Sequence, residues 1–139
     1  MTRPVFLAAL VVSSGAAAAA EEHTLHTFEK LHLNEHFWSE GANAGDFNRD
    51  GVMDIVAGPY WYAGPDFKNR HEYYPARQTF KRKGADGAEE VVPGFEGALG
   101  SNNAYSDNFF AFAHDFNDDG WDDILILGFP GRESFWYEN

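Results

Sequence analysis

A nine-residue phrase occurs twice in this chain, DFNRDGVMD from Asp46 to Asp54 and DFNDDGWDD from Asp115 to Asp123. Each copy puts an acidic or amide oxygen at the first, third, fifth and ninth places and glycine at the sixth. That is the donor order with which a short loop wraps a hard cation. In the first copy Asp46, Asn48 and Asp50 are candidate ligands from alternate residues, Val52 offers its carbonyl, and Asp54 closes the ring. Gly51 admits the sharp turn. The second copy offers Asp115, Asn117, Asp119, the Trp121 carbonyl and Asp123 in the same order. The expected cation is calcium, about one ion per loop and two in all, against the plainer alternative of Asn/Asp/Gly-rich turns.

The residues downstream of each loop limit its type. An EF-hand carries a bidentate glutamate at the twelfth place and lies between two helices. Here the twelfth residues are Ala57 and Ile126, inside the apolar runs Ile55-Val56-Ala57-Gly58 and Ile124-Leu125-Ile126-Leu127-Gly128. Short β-branched runs bounded by glycine read as buried strands, so each loop is expected to join strands.

With these features the stretches GDFNRDGVMDIVAGPYWY, from Gly45 to Tyr62, and HDFNDDGWDDILILGFPGRESFWYEN, from His114 to Asn139, resemble the FG-GAP or VCBS repeats of integrin α-chain propellers and of many secreted bacterial proteins. Gly58-Pro59 and Gly128-Phe129-Pro130 stand about where that family places its Gly-Ala-Pro element. The resemblance covers the two quoted stretches and leaves the middle of the chain outside. It implies an all-β fold in which each repeat is one blade of a calcium-binding β-propeller, and it implies no activity.

The N-terminus reads as an export signal over residues 1–20: Arg3, a short apolar run from Val5 to Val12, and a small-residue tract from Ala16 to Ala20 suited to cleavage near Ala20. A periplasmic or extracellular location is therefore expected, with no integral membrane segment. There is no cysteine, so any stapling must come from metal rather than disulfides. A formal charge of −12 argues against nucleic acid as a partner and suits cation binding.

Residues 21–139 hold only two copies of the phrase, whereas a propeller needs at least about four blades of roughly 40 residues each. The expectation is two blades of an incomplete propeller: repeat one at about 41–62, an insertion with a hairpin at about 63–105, and repeat two at about 106–139. The blades beyond these belong to a longer protein or to self-association of several chains. In either case the second blade leaves an apolar face uncovered.

Along the chain, residues 24–38 alternate toward an extended first strand, Ser39-Glu40-Gly41 toward a turn, Tyr60-Trp61-Tyr62 toward a strand, and residues 66–77 toward irregular structure. Thr79–Lys83 and Ala88–Val92 flank a Gly84-Ala85-Asp86-Gly87 turn and predict a hairpin with one basic and one acidic arm. Pro93–Asn103 reads as a loop, and Phe109–Phe112 as the strand entering the second acidic phrase.

Two patterns compete with a scaffold. His32-Leu33-Asn34-Glu35-His36 matches the H-x-x-E-H pattern of inverted zinc peptidases, which needs both histidines on one face of a helix; as a strand the pair lies about 13 Å apart. Trp61, Tyr62, Trp136 and Tyr137 offer aromatic faces for sugars, but their matching places in the two repeats favour packing between blades. The sequence thus points to an exported, non-enzymatic calcium-binding scaffold that recognises a protein or carbohydrate ligand. The alternatives are the non-catalytic leading part of a secreted polysaccharide-degrading enzyme and, more remotely, a zinc hydrolase.

Overall fold

Behind each acidic phrase the β-branched run becomes a strand in the computed structural model, which describes residues 26–97 and 104–139. β1 (Ala42–Gly45), β2 (Asp54–Ala57), β3 (Tyr60–Ala63) and β4 (Asn69–Glu72) form an antiparallel meander in chain order. β5 (Thr79–Lys83) and β6 (Glu89–Pro93) form a separate hairpin. β7 (Phe110–His114), β8 (Asp123–Leu127) and β9 (Ser134–Tyr137) form a second meander. The described residues contain no helix, so the expectation of an all-β protein holds. No described helix is long and apolar enough to cross a membrane. The expected export signal lies outside the described residues.

The two meanders repeat one another. Ile55 faces Tyr62 across β2–β3, and Ile124 faces Tyr137 across β8–β9; Val56 faces Trp61 as Leu125 faces Trp136. Side chains alternate across a strand, so each sheet has two distinct faces. The front of the first sheet, with Val56 and Trp61 and the nearby Phe47, packs on the back of the second, with Ala111, Ala113, Ile124, Ile126 and Tyr137. The back of the first sheet, with Ala57, Tyr60 and Tyr62, is covered by Leu33 and Trp38 together with Phe67 and Ala76.

The inner strands β1 and β7 approach closely. A Cβ at Gly41 would lie 2.7 Å from the Phe110 Cα and 2.8 Å from the Ala111 nitrogen, so this position has room only for glycine. The Asn43 side chain donates to the Ala111 carbonyl at 3.0 Å and ties the two sheets at the same level. Asn108, fully buried, adds a second tie: its Nδ2 donates to the Gly58 carbonyl at 3.3 Å, while its backbone carbonyl accepts from the Glu40 and Gly41 N–H groups.

Two expectations are corrected. Of the expected first strand at 24–38, residues 26–38 form no strand; Leu33 and Trp38 cover the first sheet's back, while Phe28, Leu31 and Phe37 are exposed. Residues 66–77 are not irregular throughout, since β4 pairs with β3 over Asn69–Glu72. Ser39–Gly41 leads directly into β1, whose Ala42–Gly45 pairs with β2. The β5–β6 hairpin has the expected composition, with Arg82 opposite Glu90 and Lys83 opposite Glu89. Lys81 reaches Glu89 at 2.6 Å and Arg82 bonds Glu90. Exposed pairs of this kind each contribute about 0.2–1 kcal/mol.

Candidate metal loops

Each acidic phrase connects the first and second strands of its sheet, β1 to β2 and β7 to β8. In the first loop the Asp46 carboxylate accepts from the Asp50 N–H at 3.1 Å and the Gly51 N–H at 2.9 Å. Asn48 Oδ1 accepts from the Asp50 N–H at 3.0 Å, and Asp50 Oδ1 accepts from the Val52 N–H at 2.8 Å. The second loop repeats the network: Asp115 accepts from Asp119 at 3.0 Å and Gly120 at 2.7 Å, Asn117 from Asp119 at 3.1 Å, and Asp119 from Trp121 at 2.9 Å. Gly51 and Gly120 take φ of 83° and 88°, left-handed values that explain glycine at the sixth place. Arg49 and Asp118, at the fourth place, also have positive φ, 58° and 60°.

The ninth-place carboxylates sit differently from the others. Asp54 and Asp123 are fully buried. Asp54 accepts from the Phe47 N–H at 3.0 Å and the Gly64 N–H at 2.8 Å; Asp123 accepts from the Phe116 N–H at 3.1 Å and the Asn139 N–H at 2.9 Å. Each therefore binds the start of its loop to the chain just past the third strand, at Gly64 and at Asn139. Neither is ion-paired with a described lysine, arginine or histidine.

The donors fit calcium in kind. Each loop carries three carboxylates, a side-chain amide and a backbone carbonyl, all hard oxygens. A carboxylate that accepts two N–H bonds keeps further lone pairs, so the network leaves coordinating capacity at every one of these residues. A buried carboxylate without a cationic partner is costly, and two N–H bonds offset only part of the loss of water. The Asn48 and Asn117 amide nitrogens donate to Asp50 and Asp119, both at 2.9 Å. Among the described residues no three carboxylate or imidazole groups already converge on one point.

The structure brings the two loops together, which the sequence did not indicate. The Arg49 guanidinium lies over the Trp121 ring at 4.9 Å. The Asp46 N–H donates to Asp122 Oδ2 at 2.8 Å, and Asn139 Nδ2 donates to the Phe47 carbonyl at 2.8 Å. Asp122 at the eighth place thus bridges the repeats, and the difference between the copies at the fourth, seventh and eighth places was the available clue.

The competing patterns fare differently. His32, Glu35 and His36 are exposed on an irregular segment, with His32 Nδ1 3.4 Å from Glu35, so the histidines share no helical face. Of the four paired aromatics, Tyr62 is buried and Trp61 and Tyr137 are packed, whereas Trp136 is half exposed. No family model matches the chain, and no curated protein or solved structure is significantly similar to it.

Proposed function

We propose that this chain is an exported calcium-binding scaffold whose two meanders are successive blades of an FG-GAP/VCBS-type β-propeller, presenting a surface to a protein or carbohydrate ligand. One observation carries this reading: two loops 69 residues apart close with the same hydrogen bonds at the same places of the phrase. Ordinary Asx turns need only one or two of these contacts. Repetition of the fifth-place carboxylate, the sixth-place glycine and the buried ninth-place carboxylate is better explained by a shared guest.

When bound, calcium would supply positive charge opposite the three carboxylates of each loop. Asp46, Asn48, Asp50 and Asp54 would hold one ion with the Val52 carbonyl; Asp115, Asn117, Asp119 and Asp123 would hold the other with the Trp121 carbonyl. Because Asp54 and Asp123 also bind the strand ends, occupancy would stiffen the sheets as well as the loops. No catalytic role is proposed.

At tenfold excess over the dissociation constant, each site adds about 1.4 kcal/mol of stability. Thermal melting in calcium and in chelator tests this. The wild type should melt higher in calcium; Asp50→Ala and Asp119→Ala should each remove part of the gain, and the double variant all of it. Asp118→Asn keeps a residue that tolerates the positive φ and should retain the gain in full. Equal losses at Asp118 and Asp119 would show that the ligand register is wrong.

A further inference from the structure

The acidic phrases occupy the end of each sheet where its first strand turns into its second. At the other end of the second sheet, the β8–β9 turn and the segment entering β7 meet the segments that flank the β5–β6 hairpin. A cavity of about 530 Å³ opens there, with Gln78, Phe95, Asp107, Arg132, Glu133 and Phe135 in its walls. A second cavity of about 220 Å³, walled partly by Tyr74 and Arg77, shares Gln78, Phe95 and Asp107 with it. The larger one falls within the roughly 300–1,000 Å³ usual for small-ligand sites.

The fold leaves the polar groups of these walls unmatched. Among the described residues, the Asp107 and Glu133 carboxylates and the Arg77 and Arg132 guanidiniums form no ion pair and no side-chain hydrogen bond with another residue. The open cleft beside His32 differs, because its Lys68 pairs with Asp66 and its Arg70 covers the Tyr60 ring. Burial also holds the Asp107 carboxyl above its ordinary pKa, as expected of an acid drawn into a cleft. An apolar surface lies beside these groups. Phe135 shares a strand face with Tyr137, yet Tyr137 packs on the core between the sheets while Phe135 stays 44% exposed at the cavity.

We propose that this cavity binds a neutral carbohydrate, a short run of pyranose units whose apolar faces meet Phe95 and Phe135 and whose hydroxyls meet Gln78, Asp107, Arg132 and Glu133. This ligand class deepens the scaffold reading and rests on it; the cavity itself does not. A carboxylate only accepts and a guanidinium only donates, so one guest must do both. An ammonium leaves the arginines unmatched. A phosphate or uronate leaves the acids unmatched and approaches a chain of formal charge −12. A hydroxyl donates once and accepts twice without carrying charge, and two acids with two guanidiniums favour no ion of either sign.

The test titrates the isotope-labelled chain with cellotriose, mannotriose, xylotriose and galactotriose, beside trigalacturonate and triglycine, in the presence of calcium. NMR follows the Gln78 side-chain amide, the Arg132 Nε–H and the Phe135 N–H. At least one neutral trisaccharide should shift all three signals saturably. Arg132→Ala and Glu133→Ala remove exposed groups that have no partner in the fold, so their urea midpoints should match the wild type while each weakens binding about fivefold or more. Asp107→Asn keeps the side chain's shape, turns an amide donor toward the ligand and should weaken binding by at least as much. No saturable shift from any neutral trisaccharide would overturn the proposal. So would unchanged affinity in all three variants, or tighter binding of trigalacturonate or triglycine than of every neutral sugar. Saccharide binding without a calcium-dependent melting gain would refute the metal reading alone; the gain without saccharide binding would refute the carbohydrate site alone.

Discussion

Replacing Asp54 with alanine should be among the most damaging single changes in this chain, even without calcium. The fully buried carboxylate accepts from the Phe47 N–H at 3.0 Å and the Gly64 N–H at 2.8 Å, and so joins the loop entrance to the end of β3. Hydrogen bonds to a charged acceptor are each worth about 1.5–3 kcal/mol, so losing both costs about 3–6 kcal/mol. Phe47 is itself 4% exposed, so its N–H has little access to replacement water. Against a total stability of about 5–15 kcal/mol, Asp54→Ala would bring the domain close to unfolding at 25 °C. Asp54→Asn keeps one acceptor oxygen but turns an amide N–H toward the other donor, so it should lose about 2–3 kcal/mol. Equilibrium urea unfolding in chelator isolates this contribution from metal binding. If Asp54→Ala shifted the unfolding free energy by less than about 1 kcal/mol, the carboxylate would not be the structural tie described, and the equivalence with Asp123 would lose its energetic basis.

Further perturbations probe the packing around the sheets. Burial, with a smaller contribution from Glu40, holds the Asp107 carboxyl above its ordinary pKa of 3.8. Its protonated form is favoured in the fold, so its contribution is complete below that value and is lost as pH rises through the raised one; the melting advantage of Asp107→Asn should therefore grow from acid to neutral pH, and a constant difference would contradict this. Burial also raises the Tyr73 and Tyr74 hydroxyls. The stability they confer is complete up to the ordinary value of 10.0 and falls at higher pH, so ultraviolet titration should show them ionising only as the protein unfolds. Gly41→Ala should cost about 1–3 kcal/mol in urea unfolding, because the new Cβ meets the Phe110 and Ala111 backbone rather than a yielding side chain. A neutral result would mean that β1 and β7 are free to separate.

The parts of the fold that show in the sequence are those whose chemistry is local. The β-branched run after each phrase, the Tyr60-Trp61-Tyr62 word and the hairpin with opposed charges all became strands at about the expected bounds. β1 was hidden because Ala-Asn-Ala-Gly has no strand-forming side chains; its small residues serve the approach to β7, a contact across the chain. β4 was hidden because Asn-Arg-His-Glu is exposed at every position of an edge strand, leaving no alternation to read. Its place is set by Trp61, which stacks on His71 with ring centroids 4.1 Å apart. The spacing of Phe28, Leu31, Leu33 and Phe37 misled in the opposite direction: only Leu33 packs on the first sheet's back, the other three are exposed, and the segment pairs with no strand.

Of the candidate site, the donor order and both glycines were legible because a turn is a local object. The double use of Asp54 and Asp123 was not, because their N–H partners at Gly64 and Asn139 lie 10 and 16 residues away. Nor was the proximity of the loops, which depends on how one sheet stacks on the other and brings Arg49 over Trp121.

Calcium titration calorimetry on residues 21–139 decides whether the two acidic loops are metal sites. The expected result is heat that fits two sites with dissociation constants of about 10⁻⁴–10⁻³ M, one of them lost in Asp50→Ala and the other in Asp119→Ala. The absence of any saturable heat up to about 10 mM calcium, some ten times the weakest constant expected of an extracellular module, would contradict it.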